Sequence, residues 1–239
     1  MTRKDGRAAD EMRKVQVTLG FSKFAEGSCL IEVGDTMVLC NASVEERVPP
    51  HVTDGGWVTA EYSMLPRANR ERSKRDISKL KLSARSAEIQ RLIGRSLRCA
   101  VDLPALGTRT ITIDCDVLQG DGGTRTASVT GGFLALALAC RKLVAEGKLE
   151  KLPIRTMISG VSAGIVRNET MLDLCYEEDS RALVDFNCIM TAEGDLVELQ
   201  ATGEGRPFSA EEQRKLLALC RKGNALLTQI QRRCLGDLE

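Results

Sequence analysis

The stretch from Thr110 to Glu146 constrains this chain more than any other. Residues 110–118 alternate, with Ile111, Ile113, Cys115 and Val117 on one side and Thr112, Asp114 and Asp116 on the other. That is the period of a half-buried strand. Residues 127–146 are nearly all apolar and predict a helix that must be deeply buried. Between them stands Gln119-Gly120-Asp121-Gly122-Gly123-Thr124-Arg125-Thr126. Its glycines let the backbone turn tightly and let a ligand approach the amides. The helix that follows directs unpaired N–H groups and the positive end of its dipole to the same spot. Arg125 adds a fork-shaped cation and Thr124 a hydroxyl donor. This is the chemistry of a small-anion site, phosphate above all, although an isolated glycine turn also serves as a plain strand–helix connection.

The rest of the pattern places hairpins around that unit. Residues 14–19, 28–33, 36–44 and 57–64 read as strands, with Gly34-Asp35 joining the second and third as a hairpin. Helical spacing runs through Ile89, Leu92, Ile93, Leu97, Ala100 and Val101. Further strands are expected at 156–166, 171–176, 184–191 and 195–201. A last helix opens on the capping box Ser209-Ala210-Glu211-Glu212 and runs to about residue 233. Hairpins mixed with helices predict an α+β fold, and with no linker or repeat in view the expectation is one domain over residues 1–239.

Composition narrows the function classes. The chain has 239 residues, of which 43% are hydrophobic, enough for a sizeable core. Its net charge is only +1, so polyanion binding would have to come from local clustering. At 3%, aromatics are too scarce for a base-stacking platform. The nine cysteines are scattered singly without a C-x-x-C pair, which predicts a reduced, cytoplasmic protein. The opening residues lack the apolar core of a signal peptide, and no membrane-spanning helix is expected. A single histidine, His51, lies in a proline-rich loop, which leaves little room for a histidine base or a histidine-rich metal site.

Charge does cluster in one place. From Arg67 to Arg85 there are eight basic residues, Arg67, Arg72 and Arg75 among them, against the two acids Glu71 and Asp76. A cationic arm of this kind suits phosphate-backbone contacts with RNA or DNA, and equally a solvated loop. Arg85 differs from the others. It follows Ser83, a candidate cap, at the start of a helix, where it can reach the same anion as Arg125 or simply complement Glu88.

A second candidate site is acidic, at Tyr176-Glu177-Glu178-Asp179-Ser180 followed by Asp185-Phe186-Asn187. Asp179 and Asp185 would stand ~20 Å apart on one continuous strand. On one helix they would point about 240° apart. To share a Mg²⁺ ion the intervening residues must loop out, leaving Asp179 at a strand end and Asp185 at the start of the next strand. Two carboxylates with retained water suit Mg²⁺ when a substrate phosphate completes its shell. Two acids near a turn are also commonly just solvated.

Taken together, these segments resemble the ribonuclease PH family of phosphate-dependent 3′-to-5′ exoribonucleases almost end to end. The resemblance is carried by Gly6-Arg7-Ala8-Ala9-Asp10, Cys40-Asn41-Ala42-Ser43-Val44-Glu45-Glu46, the run from Gly56 to Ala68, the helix Glu88 to Arg98, and Asp121-Gly122-Gly123-Thr124-Arg125-Thr126-Ala127-Ser128. It implies a β-α-β-α sandwich of the ribosomal protein S5 domain 2-like type, assembled as a hexameric ring of three dimers. It implies that Arg85, Gly123, Thr124 and Arg125 hold inorganic phosphate as co-substrate. Asp179 and Asp185 would supply metal (Mg²⁺) and acid functions, and Arg67, Arg72 and Arg75 would contact the acceptor stem of tRNA. The implied activity is tRNA nucleotidyltransferase: removal of 3′-terminal nucleotides from tRNA precursors and other structured RNA, including rRNA, as nucleoside diphosphates.

Two departures are visible. Lys79-Leu80-Lys81-Leu82-Ser83-Ala84 stands where the family carries a glycine-rich run, and Cys175 replaces an acid in Asp173-Leu174-Cys175-Tyr176. The competing readings are a catalytically silent RNA-binding ring subunit of an exosome-like assembly and a kinase-like enzyme. The glycine turn lacks the Lys-Ser/Thr ending of a P-loop, which counts against the second.

Overall fold

The computed structural model describes residues 3–75 and 83–236. Lys79 to Leu82, with Asp76, lie outside the described residues, so the lysine-rich departure from the family has no structural account.

The first sheet contains β1 (Val15–Leu19), β2 (Gly27–Val33), β3 (Thr36–Glu45), β4 (Trp57–Met64) and β5 (Thr110–Gln119) in the order β1-β2-β3-β5-β4. Strand β5 runs antiparallel to β3 and parallel to β4. The parallel step is made by a crossover through α1 (Ala84–Ala100) and the short α2 (Leu103–Leu106). Ser83 caps α1, its hydroxyl accepting from the Ser86 amide at 3.0 Å. In β5 the expected alternation holds: Ile111, Ile113, Cys115 and Val117 are buried, while Thr112, Asp114 and Asp116 are half-exposed.

Helix α3 (Thr124–Ala145) follows, then β6 (Ile158–Val166), β7 (Glu169–Leu172), α4 (Tyr176–Asp179), β8 (Val184–Thr191), β9 (Leu196–Gly203) and α5 (Ala210–Leu235). The second sheet has the order β7-β6-β8-β9, antiparallel throughout. Helix α5 opens on the expected capping box between Ser209 and Glu212.

Burial explains the layering. Helix α3 packs on β2 and β3 of one sheet and on β6 of the other, so its apolar residues meet protein on every side. By length and composition it would suit a membrane span, but 78% of its most apolar window is buried inside the fold. One face of the second sheet, with Val161, Ala163, Ile165, Phe186 and Cys188, packs instead on Leu216, Cys220 and Leu227 of α5. The sequence of layers is sheet, helices, sheet, helix. This is the β-α-β-α sandwich and the α+β class expected from the sequence.

Two of the boundaries that differ from the sequence reading matter for the site. The long helix begins at Thr124 and not at residue 127, which places Thr124 and Arg125 in its first turn. The strand expected over 171–176 ends at Leu172, because Asp173 adopts a left-handed backbone (φ 52°) and the chain then coils into α4. Asp179 therefore closes a helical turn and does not end a strand.

Candidate active site

Backbone geometry builds the anion end of the site. Gly122 and Gly123 have φ of 76° and 66°. A Cβ on Gly122 would lie 2.5 Å from the Leu174 carbonyl oxygen, so both sterics and conformation require glycine. The turn is fastened from beneath. Thr36 Oγ1 accepts from the Asp121 amide at 2.9 Å and donates to the Gly122 carbonyl at 2.7 Å. Arg13, buried, donates to the Asp121 carbonyl and pairs with Asp173 through Nη2 at 2.7 Å and Nε at 2.9 Å. Burial pushes the Asp173 carboxyl up, but the Arg13 bonds and the Arg7 charge hold it below the usual carboxylate range. Sequence reading assigned no role to Arg13 and treated Asp173 only as part of a family string, since nothing local marks a contact spanning 160 positions.

The acid end comes from the face of the second sheet that looks toward α3. Antiparallel register sets two rows on that face: Ser162, Asn187 and Gln200, and beside them Gly164, Asp185 and Thr202. Asn187 donates its amide to both oxygens of Asp185 at 2.9 and 3.0 Å, fixing the carboxylate. Gln200 accepts from Arg125 Nη1 at 2.9 Å, and Glu88 lies 3.8 Å from the same guanidinium. Glu88 thus flanks Arg125, the cation for which the sequence offered it no role. Asn187 entered the sequence reading only within the string Asp185-Phe186-Asn187, with no role of its own, and Gln200 was missed, because only strand pairing brings it to the site.

These elements enclose a cavity of about 350 Å³. Arg85, Gly123, Thr124, Arg125, Asp179 and Asp185 all line it, together with Ser162, Asn187 and Glu204. Every residue expected to bind phosphate or act on the acid side is therefore in one place. The loop from Ser180 to Leu183 brings the two acids together, as the six-residue spacing required. Loss of hydration raises the Asp185 carboxyl above its ordinary range. The neighbouring Asp179 adds to this, and Arg125 and Asn187 oppose it. Asp179 keeps an exposed edge, yet loss of hydration raises it as well, against Arg85 and Arg125. The Tyr62 and Thr124 hydroxyls share a hydrogen bond at 2.8 Å, and burial raises the Tyr62 phenol above its ordinary range.

Arg67, Arg72 and Arg75 do not line this cavity; they are exposed on the segment after β4. Arg70 of the same segment stacks over the Tyr176 ring at 6.0 Å, next to α4. A larger cleft of about 620 Å³ adjoins the turn, but much of its charge is already paired, Arg3 with Glu178 and Lys4 with Glu177. In the smaller cavity, Arg85 and Arg125 face the carboxylates of Asp179 and Asp185.

The sequence matches the 3′ exoribonuclease family, domain 1 over residues 11–142 and domain 2 over residues 156–223. It is 52% identical over 240 residues to Ribonuclease PH of Moorella thermoacetica, covering 100% of this chain and 96% of that protein. The chain belongs to the ribonuclease PH family. Among solved structures, the Archaeoglobus fulgidus exosome with RNA bound to the active site is similar at TM-score 0.82 and 25% identity, over 95% of this chain and 92% of that one. An archaeal exosome core is similar at TM-score 0.77 and 25% identity, over 96% and 91%. The two segments of the ribonuclease PH family match divide between α3 and β6. The cavity draws its arginines from the first segment and its aspartates from the second.

Proposed function

We propose that this chain is a phosphate-dependent 3′-to-5′ exoribonuclease, a tRNA nucleotidyltransferase that uses inorganic phosphate to shorten RNA from its 3′ end. The observation that carries the reading is the single cavity in which Arg85, Arg125 and the Gly123-Thr124 turn face Asp179 and Asp185. Phosphate is already a nucleophile, so no activated serine or cysteine is required. The work left to the protein is positioning and charge stabilisation.

Arg85, Arg125, the Thr124 hydroxyl and the amides at the start of α3 bind the attacking phosphate. They offset its repulsion from the 3′-terminal phosphodiester. A phosphate oxygen forms the new P–O bond, the bond to the penultimate 3′-oxygen breaks, and a nucleoside diphosphate leaves. Asp185, whose raised carboxyl retains a proton more readily than an ordinary aspartate, protonates the departing 3′-oxygen. Asn187 keeps that carboxyl aimed at the cavity.

Asp179 and Asp185 fit Mg²⁺. They are hard oxygen donors on one cavity wall, and such donors suit a metal that keeps water and takes substrate oxygens. When bound, it supplies charge neutralisation at the scissile phosphoryl group. Arg67, Arg72 and Arg75 contact the RNA backbone of tRNA precursors and of other structured RNA, rRNA included. The protein works in the cytoplasm as a single-domain subunit of a hexameric ring of three dimers.

The test is a tRNA precursor with a 3′ extension, incubated with Mg²⁺ in the presence and absence of phosphate. Nucleoside diphosphates released only with phosphate are expected. Phosphate-independent release of nucleoside monophosphates would sink the reading.

A further inference from the structure

We infer that Ser162 is a further phosphate-binding residue, its hydroxyl donating a hydrogen bond to the attacking phosphate opposite Arg85 and Arg125. The inference rests on the phosphorolytic reading above and adds to it a ligand from the second sheet.

Ser162 lies in the middle of β6 and lines the same cavity as Arg85, Arg125 and Asp185. It is 6% exposed, and its Oγ has no hydrogen-bond partner among the described residues. A buried hydroxyl left unmatched is costly, so its presence calls for a partner that binds there.

Its neighbours on the α3-facing side of the strand are Gly160 and Gly164. A Cβ on Gly160 would meet Thr126 Cα at 2.9 Å, so the missing side chain lets the first turn of α3 close on β6. Ser162 is consequently the one side chain that β6 presents to that turn between residues 160 and 164. Its Oγ would lie 3.7 Å from a Cβ built on Gly123, beside the amides at the helix start.

The surrounding donors already have protein partners. Thr126 Oγ1 donates to the Gly123 carbonyl at 2.9 Å and the Asn187 amide serves Asp185. Meanwhile the Ser162 backbone carbonyl accepts from the Asp173 amide at 2.7 Å, holding the left-handed residue that shapes the loop. The backbone of Ser162 is thus used structurally while its hydroxyl is unused. A phosphate oxygen at the start of α3 supplies an acceptor that the protein does not.

The experiment compares wild type with Ser162→Ala in phosphorolysis, titrating phosphate and RNA separately, and follows thermal unfolding with inorganic phosphate alone. The expected result is a rise in KM for phosphate on the order of tenfold. KM for RNA should be unchanged, and the stabilisation by phosphate in the unfolding assay weakened. Without phosphate the variant should unfold at the same temperature as wild type or higher, since the removed hydroxyl bonds nothing. An unchanged KM for phosphate would overturn the inference. So would a lowered unfolding temperature with kcat and both KM values changed in parallel, which would mark a purely structural serine. If wild type itself needs no phosphate, the phosphorolytic reading falls and this inference with it. A phosphate-dependent wild type with an indifferent variant removes the inference alone.

Discussion

Asp179, Asp185 and Asp173 are three carboxylates within one loop system, and the fold treats them oppositely. Asp179 and Asp185 are raised, so their ionisation works against folding. Their contribution to stability is full below the ordinary carboxylate range and is lost as pH rises through the raised values. Asp173 is depressed, so its contribution is present at neutral pH and is lost as pH falls through its lowered value. Asp185→Asn should therefore unfold a few degrees above wild type at neutral pH, with the difference vanishing in acid, as thermal unfolding across pH would show. The same variant should lose about 10²–10⁴ in kcat while gel-shift affinity for RNA holds, because general acid catalysis contributes on that order. Arg125→Ala should raise KM for phosphate by roughly tenfold or more, the scale of a charge-assisted bond, with phosphate titration as the check.

The strand–turn–helix unit around Gly122 is the element on which the anion end depends. Its own glycines permit the turn, but the buried Arg13–Asp173 pair and Thr36 hold it in place. Removing one member of a buried pair leaves an uncompensated charge and costs about 3–5 kcal/mol. Arg13→Met should therefore lower the urea midpoint far more than an exposed arginine variant, and weaken phosphate binding as the turn loosens. Gly122→Ala meets both the positive φ and the Leu174 carbonyl, so it should cost more than about 1 kcal/mol by the same denaturation measurement.

The molecule as a whole is organised by α3, which packs on both sheets and carries the site at its first turn. A shared central helix couples the two halves, and a single coincident unfolding transition by calorimetry and by fluorescence is expected. For the proposed ring, gel filtration should give a particle six times the 26.1 kDa chain mass. Replacing Arg67, Arg72 and Arg75 together by alanine should reduce the slope of log affinity against log salt by roughly two, at about 0.7 per phosphate contact on single strands. Catalysis on a dinucleotide substrate should change little, because these side chains stand outside the cavity.

Much of this protein was legible in one dimension because its signals are local. The alternation in β5, the Ser83 cap, the Ser209–Glu212 box and the glycines at 122–123 each depend on residues within a few positions of one another. Family strings then pointed to Arg85, Arg125, Asp179 and Asp185 as the site residues, and the fold gathers all four around one cavity. By itself the sequence determined that a deeply buried helix must follow a tight glycine turn, and which charged residues were available to meet there. Only the tertiary structure decided how they meet. Strand register aligned Ser162 with Asn187 and Gln200, and Arg13 reached Asp173 to turn an expected strand into the α4 coil. Those outcomes rest on contacts between residues far apart in the chain. Local periodicity and turn propensity carry no information about such pairs until the packing of α3 between two sheets brings them together.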